Sequence, residues 1–432
     1  MKILIIGGGP TGLSCAKKIK GKLNYILFEK ENQIGGLAKS INKDNFIFDY
    51  SGHLLHLRWK ETSKFIFEIL GNNITKIKRN AQIYLKGYLI DYPFQINLYK
   101  LPAEIKSKCV SDFIKAFRKD NKKTENFYEW ALNTFGRSIC RYFMFPYNEK
   151  LFSYDIKKLT TKWIGEFLPR PDINLVLKGA YEGKIENIGY NHIFYYPRYG
   201  GIGALTQKIS SGLKNVYTNC EVVFTNFNKK IVILRDGSQI KYDILVNTSP
   251  LKYFILNSDA PDKIKKAAEN LKHNTVYILN IGIKKTDFKQ HWIYFPEKRF
   301  MFHRLGFYTN FSKKLAPKGY SSIYIEFSKP EQGYINIPET EKKTIKTLIK
   351  LGIIKDEDDI KTMMWLKAEC AYVIYDNERE KSIRIILDYL NKKSVITTGR
   401  YGEWKYSFIE ENLKDGFEAF QRIIKLKGEL YV

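Results

Sequence analysis

The sequence predicts an α/β fold in which a parallel-sheet domain is interrupted by a helical insert and by a mostly antiparallel β-sheet domain. The first observation is a short apolar strand at the amino terminus, followed by three closely spaced glycines and a helical pattern. The second is helical periodicity between about residues 101 and 184. The third is a series of aromatic and β-branched runs between about residues 271 and 390, separated by turns, which is typical of antiparallel strands.

Length and composition exclude several classes of protein. The chain has 432 residues, 44% of them hydrophobic, which suffices for about two to four domains and excludes a disordered chain. Five scattered cysteines without metal-ligand spacing exclude a disulfide scaffold. The sequence has no apolar run near the ~20 residues of a membrane helix, and its amino terminus is too short and glycine-broken for a signal peptide. A cytoplasmic protein is therefore expected.

The net charge of +27 comes from 72 Lys and Arg against 45 Asp and Glu. Such an excess favours an anionic partner, which could be nucleic acid, membrane headgroups or a phosphorylated ligand. Compositional drift explains it equally well, because Lys, Asn and Ile are abundant and the charge is spread along the chain. The charge alone leaves both interpretations open, so motifs have to decide between them.

The amino-terminal motif has the spacing of a dinucleotide-binding turn. An apolar strand precedes Gly7, Gly9 and Gly12, which have the G-x-G-x-x-G spacing, and a helical pattern follows. Gly7 permits the tight turn, Gly9 lets the backbone approach a pyrophosphate, and Gly12 lets the helix pack on the strand. A second apolar strand ends in Glu29, whose carboxylate can accept both ribose hydroxyls of an adenosine. This combination predicts a dinucleotide site rather than a purely structural turn.

The segment that follows indicates FAD rather than NAD as the dinucleotide. Gly36 and Leu37 belong to a GGLA segment, followed by FDYSGH, that resembles the glycine-pair segment of FAD-dependent amine oxidases. Val222 falls in a later strand that resembles the one near the adenine in such proteins. Residues 242–250 resemble the strand and turn that return to the same domain.

The chain is expected to divide into three parts, because the FAD-binding segments are separated by long insertions. The expected parts are a discontinuous Rossmann-like FAD-binding domain of residues 1–60, 185–270 and 391–432, a helical nucleotide-binding insert of residues 100–184, and an antiparallel sheet or substrate domain of residues 61–99 and 271–390. The chain shows no internal repeat and no low-complexity linker.

The order of short motifs along nearly the whole chain resembles the UDP-galactopyranose mutase family, especially its eukaryotic-type branch. These motifs are GH, YPFQ, FMFPYN, PRYGGIG, WIYFP followed by an arginine, and GRYGEWKY. Each motif is short, but the ordered series is specific. The resemblance implies an FAD-dependent enzyme with an amine-oxidase-like frame and a UDP-sugar as its substrate.

The resemblance also implies which residues bind that substrate. The substrate-binding positions fall on Tyr92, Phe94, Gln95, Asn148, Phe152, Asn191, Tyr294, Arg304, Tyr372 and Tyr406. Phe94 and Gln95 would hold the uracil, and Phe152 stands where the family usually has a stacking Trp. Arg304 would bind the diphosphate, which suits a planar guanidinium that can meet two phosphate oxygens at once.

Further positions are implied at the cofactor and in catalysis. Gly201 in the glycine-rich loop, and Gly399 with Arg400, would lie against the flavin, and His53 would lie in a loop beside it. Arg304, His53 and Arg400 are the candidate catalytic residues. No metal ligand is expected.

Two positions depart from the family pattern. The family has a second diphosphate arginine shortly after a W-x-G-E motif, where this chain has Phe167, and the nearest arginine is Arg170. Four residues after Tyr406 the family has an Asn that helps hold the nucleotide sugar, whereas this chain has Glu410. A carboxylate beside a diphosphate is unfavourable unless it points away. Both departures leave the choice of sugar nucleotide open.

The implied reaction interconverts the pyranose and furanose forms of a UDP-sugar without net redox, through a covalent adduct between the sugar and N5 of reduced FAD. NADPH or NADH is the expected reductant, and polysaccharide biosynthesis is the expected setting. Galactose, N-acetylgalactosamine and arabinose remain candidate sugars, and the oligomeric state is open. An FAD-dependent oxidase or desaturase of the amine-oxidase and protoporphyrinogen-oxidase group is the alternative, and a non-enzymatic nucleic-acid-binding protein is the third hypothesis.

Overall fold

The computed structural model describes residues 1–119, 124–165, 168, 170–185, 188 and 192–430. Its architecture confirms the predicted α/β fold, with a Rossmann-like parallel sheet, a group of helices and a large, mostly antiparallel sheet. The strands are β1 (Lys2–Ile6), β2 (Asn24–Phe28), β3 (Ser40–Lys43), β4 (Phe46–Asp49), β5 (Thr75–Lys78), β6 (Ala81–Leu85), β7 (Tyr88–Asp91), β8 (Ile193–Tyr196), β9 (Val216–Tyr217), β10 (Val222–Asn226), β11 (Ile231–Leu234), β12 (Gln239–Lys241), β13 (Ile244–Asn247), β14 (Asn274–Lys284), β15 (Trp292–Tyr294), β16 (Arg304–Phe307), β17 (Tyr320–Pro330), β18 (Ile360–Ala368) and β19 (Val395–Thr397). The helices are α1 (Pro10–Ile19), α2 (Lys60–Leu70), α3 (Ala103–Phe117), α4 (Phe127–Ile139), α5 (Phe145–Phe152), α6 (Ile173–Tyr181), α7 (Gly203–Ser210), α8 (Leu251–Leu256), α9 (Asp262–Glu269), α10 (Ile337–Lys350), α11 (Asn377–Asn391), α12 (Gly399–Gly402) and α13 (Ile409–Leu430).

The parallel sheet is assembled from segments that are far apart in the sequence. Its strand order is β19-β13-β1-β2-β9, and every neighbouring pair is parallel. β1 and β13 are almost fully buried, as continuous apolar strands in the centre of such a sheet should be. The turn after β1 therefore lies at the carboxyl edge of the sheet, where open α/β sheets bind their ligands.

α1 and α13 pack together at very close range. The Ser14 hydroxyl donates a hydrogen bond to the carbonyl of Leu413 at 3.1 Å. A Cβ on Gly416 would approach the Ser14 Oγ to 2.0 Å, so this position has room for glycine alone. The helix that begins at the glycine-rich turn is thus held in place by a helix near the other end of the chain.

The helical part contains α3 to α6, in agreement with the helical periodicity. α4 is interrupted at Gly136, which has φ 77° and would place a Cβ 2.3 Å from the Asp112 carbonyl oxygen of α3. A π-helical turn, Cys140–Met144, then leads into α5. Turns of this kind are frequent at functional sites, and α5 contributes four residues to the cavity described below.

The large sheet has the strand order β18-β14-β17-β16-β15-β6-β7. All its pairs are antiparallel except β6 with β15, which are parallel, so the expectation of a mostly antiparallel sheet is confirmed. In this register Tyr294 lies opposite Arg304, and Arg304 lies opposite Glu326.

The three kinds of structure occur in the order that the sequence predicts, although the domain boundaries themselves stay a prediction. A search of the described residues for a helix both long enough and apolar enough to cross a membrane finds none.

Candidate active site

One large cavity brings together residues of the parallel sheet, the helical part and the antiparallel sheet. Its volume is about 1060 Å³, at the upper end of the roughly 300–1,000 Å³ that is usual for a small-molecule site. The predicted site residues that line it are Gly7, Gly9, Glu29, Gly36, Leu37, His53, Tyr92, Asn148, Phe152, Val222, Tyr294, Arg304, Tyr372, Arg400 and Tyr406. Most of the positions implied by the motifs are therefore adjacent in space.

The glycine-rich turn has the geometry of a pyrophosphate cradle. Gly7 has φ 102°, a conformation that side chains rarely adopt. A Cβ on Gly12 would lie 2.0 Å from the Gly7 carbonyl oxygen, so Gly12 is needed for helix and strand to pack. Gly9 caps α1 without a side-chain hydrogen bond, and a Cβ there would meet only the Gly36 Cα, at 4.0 Å. The amino-terminal end of α1 is thus open towards the cavity, as an anion site requires.

The Glu29 carboxylate is buried and held in a fixed orientation beside this turn. One oxygen, Oε2, accepts a hydrogen bond from the Gly8 N–H at 2.8 Å, and Oε1 accepts one from the Glu31 N–H at 2.9 Å. Each carboxylate oxygen has a further lone pair. Glu29 can therefore accept ribose hydroxyls without losing its backbone partners.

Gly201 and Gly399 lie behind the cavity wall rather than in it. A Cβ on Gly201 would approach the Ser40 Oγ to 2.3 Å, and one on Gly399 would approach the Thr11 Oγ1 to 2.5 Å. Both glycines also have positive φ, 66° and 81° respectively. Their part is to let the loops that carry them pack closely against neighbouring segments.

Asp49 organises the glycine-rich loop, a role that sequence reasoning missed. Its carboxylate accepts hydrogen bonds from the Ser40 hydroxyl and the Tyr196 hydroxyl, both at 2.5 Å, and from the Ile202 N–H at 3.3 Å. Burial raises the pKa of Asp49 to about 7 in spite of these bonds. The acid in the middle of the FDYSGH motif was the available signal.

His53 lines the cavity as a neutral ring. Burial, and then the positive charge of nearby Arg400, lower the pKa of His53 to about 4. Its Nδ1 has no hydrogen-bond partner within the described residues. At neutral pH it can offer one donor and one acceptor but no charge.

Arg304 and Glu326 form a buried ion pair in the cavity wall. The guanidinium donates through Nε to Glu326 Oε2, and through Nη2 to Glu326 Oε1 at 2.8 Å and to the Ser51 Oγ at 3.1 Å. Burial alone would raise the pKa of Glu326, but the ion pair with Arg304 holds it at about 2. Glu326 was missed by sequence reasoning, although an acid inside the apolar run IYIEF is a usable signal.

Aromatic rings surround this ion pair. The ring of Tyr294 lies 5.2 Å from that of Tyr92 and 5.0 Å from that of Tyr147, centroid to centroid. Tyr372 and Tyr406 are stacked at 6.0 Å. These rings form an apolar wall whose hydroxyl groups can donate hydrogen bonds to an anion.

Arg400 is the second guanidinium of the cavity. It donates to the carbonyls of Ser407 at 2.9 Å and Ala371 at 2.8 Å, and it lies 4.8 Å from the centre of the Tyr406 ring. In the part of the chain that the structure describes, it has no carboxylate partner. Unlike Arg304, it therefore presents an uncompensated positive charge.

Some predicted substrate residues are placed differently from the rest. Phe94 and Gln95 are buried behind the wall, and Phe94 stacks at 5.3 Å on Phe143, which does line the cavity. Asn148 lines it, but its Nδ2 donates to the Met144 carbonyl of the preceding turn at 2.7 Å. Phe152 packs at 5.0 Å against the indole of Trp163.

The two departures from the family pattern have clear positions where they are described. Arg170 donates to the Phe117 carbonyl at 3.1 Å and lies over the Phe117 ring, outside the cavity wall. Glu410 is fully buried and turned away, accepting from the Arg58 N–H at 2.6 Å and from the Thr62 and Ser63 hydroxyls at 2.8 Å. It therefore ties the segment that leads into α2 to the first turn of that helix. Phe167 and Asn191 lie outside the described residues.

Comparison with known proteins supports the dinucleotide site and the fold. Residues 5–66 match the model of an NAD(P)-binding Rossmann-like domain. A 4,4'-diapophytoene desaturase (4,4'-diaponeurosporene-forming) of Staphylococcus aureus (strain COL) is 35% identical over 113 residues, which is 26% of this chain and 22% of the desaturase. The match thus spans about a fifth of the length of that relative.

Solved structures match over nearly the whole chain. A crystal structure of reduced UDP-galactopyranose mutase has a TM-score of 0.93 and 24% identity, covering 98% of this chain and 96% of the mutase. A protein from Exiguobacterium sp. 255-15, provisionally assigned as a protoporphyrinogen oxidase, has a TM-score of 0.75 and 13% identity, covering 98% of both chains. At these identities the likeness concerns the fold. The chain therefore has, over almost its full length, the fold of UDP-galactopyranose mutase.

Proposed function

We propose that this protein is an FAD-dependent mutase that interconverts the pyranose and furanose forms of a UDP-sugar. The observation that carries the proposal is that a pyrophosphate cradle and a tyrosine-lined pair of guanidinium groups share one cavity. The likeness in fold to UDP-galactopyranose mutase supports it. When bound in its reduced form, FAD would supply the nucleophile for the anomeric carbon.

The residues present fit FAD. The open amino-terminal end of α1 would meet the pyrophosphate, and Gly9 and Gly36 leave room for it because neither carries a side chain. Glu29 would accept the ribose hydroxyls. Leu37 and Val222 line the same cavity as apolar surface for the ring systems.

Arg304 would bind the diphosphate while remaining paired with Glu326. Its Nε and Nη2 groups are occupied, but the two N–H bonds of Nη1 have no partner within the described residues. Those two donors can each bond to a phosphate oxygen of the ligand. Tyr294, Tyr372 and Tyr406 would donate their hydroxyl hydrogens to the remaining oxygens.

Arg400 and His53 would act near the flavin. The uncompensated charge of Arg400 would stabilise negative charge that develops on the cofactor or on the departing diphosphate. Neutral His53 would contribute a hydrogen bond without adding charge. The aromatic wall would exclude water from the reacting carbon.

The test is a screen of the purified protein, reduced with dithionite, against UDP-galactose, UDP-N-acetylgalactosamine and UDP-arabinose, with products separated by chromatography. The furanose form of at least one sugar should appear, and the oxidised protein is the control. NADPH and NADH can then be compared as reductants. The absence of turnover with all three sugars would count heavily against a mutase.

An oxidase or desaturase is the second candidate, and it is favoured by two observations. Arg170 does not line the cavity and donates instead to the Phe117 carbonyl. The partial match to a desaturase and the likeness in fold to a protein assigned as an oxidase point the same way. Substrate-dependent oxygen consumption would identify an oxidase, because a mutase consumes none.

A further inference from the structure

Lys150, on α5, inserts its amino group into the loop of the β15–β16 hairpin. The Nζ atom donates hydrogen bonds to three backbone carbonyls, those of Phe295 at 2.7 Å, Glu297 at 3.2 Å and Phe302 at 2.6 Å. An ammonium group has three donors, so all of them are used on this loop. The Lys150 side chain thus connects α5 to three backbone carbonyls of this loop.

This ammonium group has no counter-ion. Lys150 forms no ion pair with a carboxylate in the described ranges of the chain. The nearest acid, Glu297, uses its Oε2 to accept from the Lys86 N–H at 3.0 Å and to pair with Arg299 at 3.1 Å. Burial lowers the pKa of Lys150 to about 7, and Glu297 opposes this shift only in part. The amine is therefore held in this place by its hydrogen bonds to the three carbonyls and not by an ion pair.

The loop that Lys150 holds carries the substrate end of the cavity. Phe295 directly follows Tyr294, and Phe302 lies two residues before Arg304, so the three carbonyls lie in the loop between the paired residues Tyr294 and Arg304. The Phe295 N–H also donates to the His303 carbonyl at 2.9 Å, which closes the end of the hairpin beneath Lys150.

The same helix also faces the cavity. Tyr147, one turn before Lys150, stacks edge-on against Tyr294 at 5.0 Å, and Asn148 and Phe152 line the wall. α5 therefore contributes the cavity wall with one set of side chains and fastens the opposing hairpin with Lys150. α5 and the hairpin thus meet at the Tyr147 and Tyr294 contact, and both line the cavity that contains Arg304.

We propose that Lys150 is a positioning residue that fixes the Tyr294 and Arg304 hairpin against α5 and so sets the affinity of the site for the diphosphate of a nucleotide sugar. The inference rests on the proposed function for its ligand. The hydrogen bonds between Lys150 and the hairpin loop, however, are present in the protein without ligand. Lys150 touches neither reacting atoms nor cofactor. It acts through the backbone of residues 295–303.

The test compares Lys150→Met, which keeps the apolar stem and removes the donors, with Lys298→Met, which removes an exposed charge from the same loop. In Lys150→Met we expect KM for the UDP-sugar and the Kd for UDP to rise by about 10-fold or more, while kcat changes by less than about threefold, since uniform binding is lost. Lys298→Met should leave both unchanged. Lys150→Arg keeps the charge but cannot reach three converging carbonyls with a flat guanidinium, so it should give an intermediate rise.

Hydrogen exchange of the ligand-free protein tests the fastening separately. Amides of residues 295–303 should exchange faster in Lys150→Met, while those of α13 should not change. If loop exchange is unchanged, or if kcat falls with KM constant, or if Lys298→Met has the same effect, the proposal is wrong. If the wild-type protein binds no UDP and converts no UDP-sugar, the proposed function is wrong. The exchange result then shows only whether Lys150 holds the loop of residues 295–303 in place. Should Lys150→Met not fold, the KM and exchange of Lys150→Arg decide.

Discussion

Arg304 and Glu326 lie directly opposite each other on β16 and β17, and the guanidinium is joined to the carboxylate through both Nε and Nη2. The pairing leaves one nitrogen of the guanidinium, Nη1, with its two N–H bonds available for a ligand. It also neutralises a charge that would otherwise be buried alone. Glu326 therefore fixes the orientation of Arg304 in the cavity wall of the ligand-free protein.

Arg304→Lys should lower kcat/KM for the UDP-sugar by at least about 100-fold, because a lysine ammonium cannot pair with Glu326 through two nitrogens and also present a third to the ligand. The charge partner of Glu326 is kept, so the protein should still fold. Steady-state kinetics measures the loss, and the visible spectrum of bound flavin checks that the cofactor site is intact. Turnover at the wild-type rate would remove Arg304 from the diphosphate site.

Glu326→Gln should make the free energy of unfolding fall less steeply as the pH is lowered below 4.5. Because the folded-state pKa of Glu326, about 2, lies below its usual value of 4.5, the wild-type carboxylate stabilises the fold above pH 4.5. That contribution is lost as the pH falls towards 2. Urea unfolding at several pH values measures the slope. The variant should be less stable than wild type at pH 7, and its stability should fall less steeply over this range.

Lys150→Met should change how the free energy of unfolding depends on pH in the alkaline range, above pH 7. The pKa of Lys150 is lowered from 10.5 to about 7, so between these values the unfolded chain binds a proton that the folded one does not. Wild-type stability should therefore gain a rising contribution from pH 7 to 10.5. Glu297 and His303 are the titratable groups that interact with this amine, and Glu149 and Lys298 line the same small cavity. Unfolding curves of the variant should lack the rise, and an equal rise in both proteins would contradict the assignment.

Glycine substitutions should separate cofactor binding from folding. Gly9 has φ −77° and only an ordinary contact for a Cβ, so Gly9→Ala should fold normally and yet lose at least about 10-fold in FAD affinity, because the methyl group occupies the path of the pyrophosphate. In Gly12→Ala the Cβ would lie 2.0 Å from a carbonyl oxygen, so this variant should fail to fold. Flavin titration and thermal unfolding distinguish the two outcomes, and normal FAD affinity in Gly9→Ala would argue against a cradle.

Glu410→Ala should destabilise the protein by about 2–4 kcal/mol, because it leaves the backbone N–H groups of Arg58 and Trp59 and the buried Thr62 hydroxyl without this acceptor. Glu410→Gln keeps one acceptor oxygen and should lose less. Since Glu410 points away from the cavity, KM should change by less than about threefold in either variant. Chemical denaturation and kinetics on the same samples check both parts, and a large rise in KM would place Glu410 at the ligand after all.

The predictability of each feature depends on how local its cause is. The turn at Gly7 and Gly12 follows from backbone geometry within a few residues, so the sequence predicts it well. The burial of Phe94 and Gln95 behind Phe143 depends on how a whole helix packs, and a motif does not carry that information.

Arg304 and Glu326 are 22 positions apart, and their pairing depends on the register of β16 and β17, which residue spacing alone does not specify. For the same reason the sequence shows that Glu410 is unusual but not where it points. Its partners lie nearly 350 positions earlier in the chain.

The close contact between α1 and α13 has a consequence for how the protein is made. The glycine-rich turn and α1 are synthesised long before α13, so α1 gains this neighbour only when residues 409–430 have been made. At about 5–20 residues per second, the apolar face of α1 waits for tens of seconds without its partner. β1 meets β2 at once, whereas β13 and β19 arrive much later. The nascent chain must therefore be kept from aggregating until α13 has been synthesised.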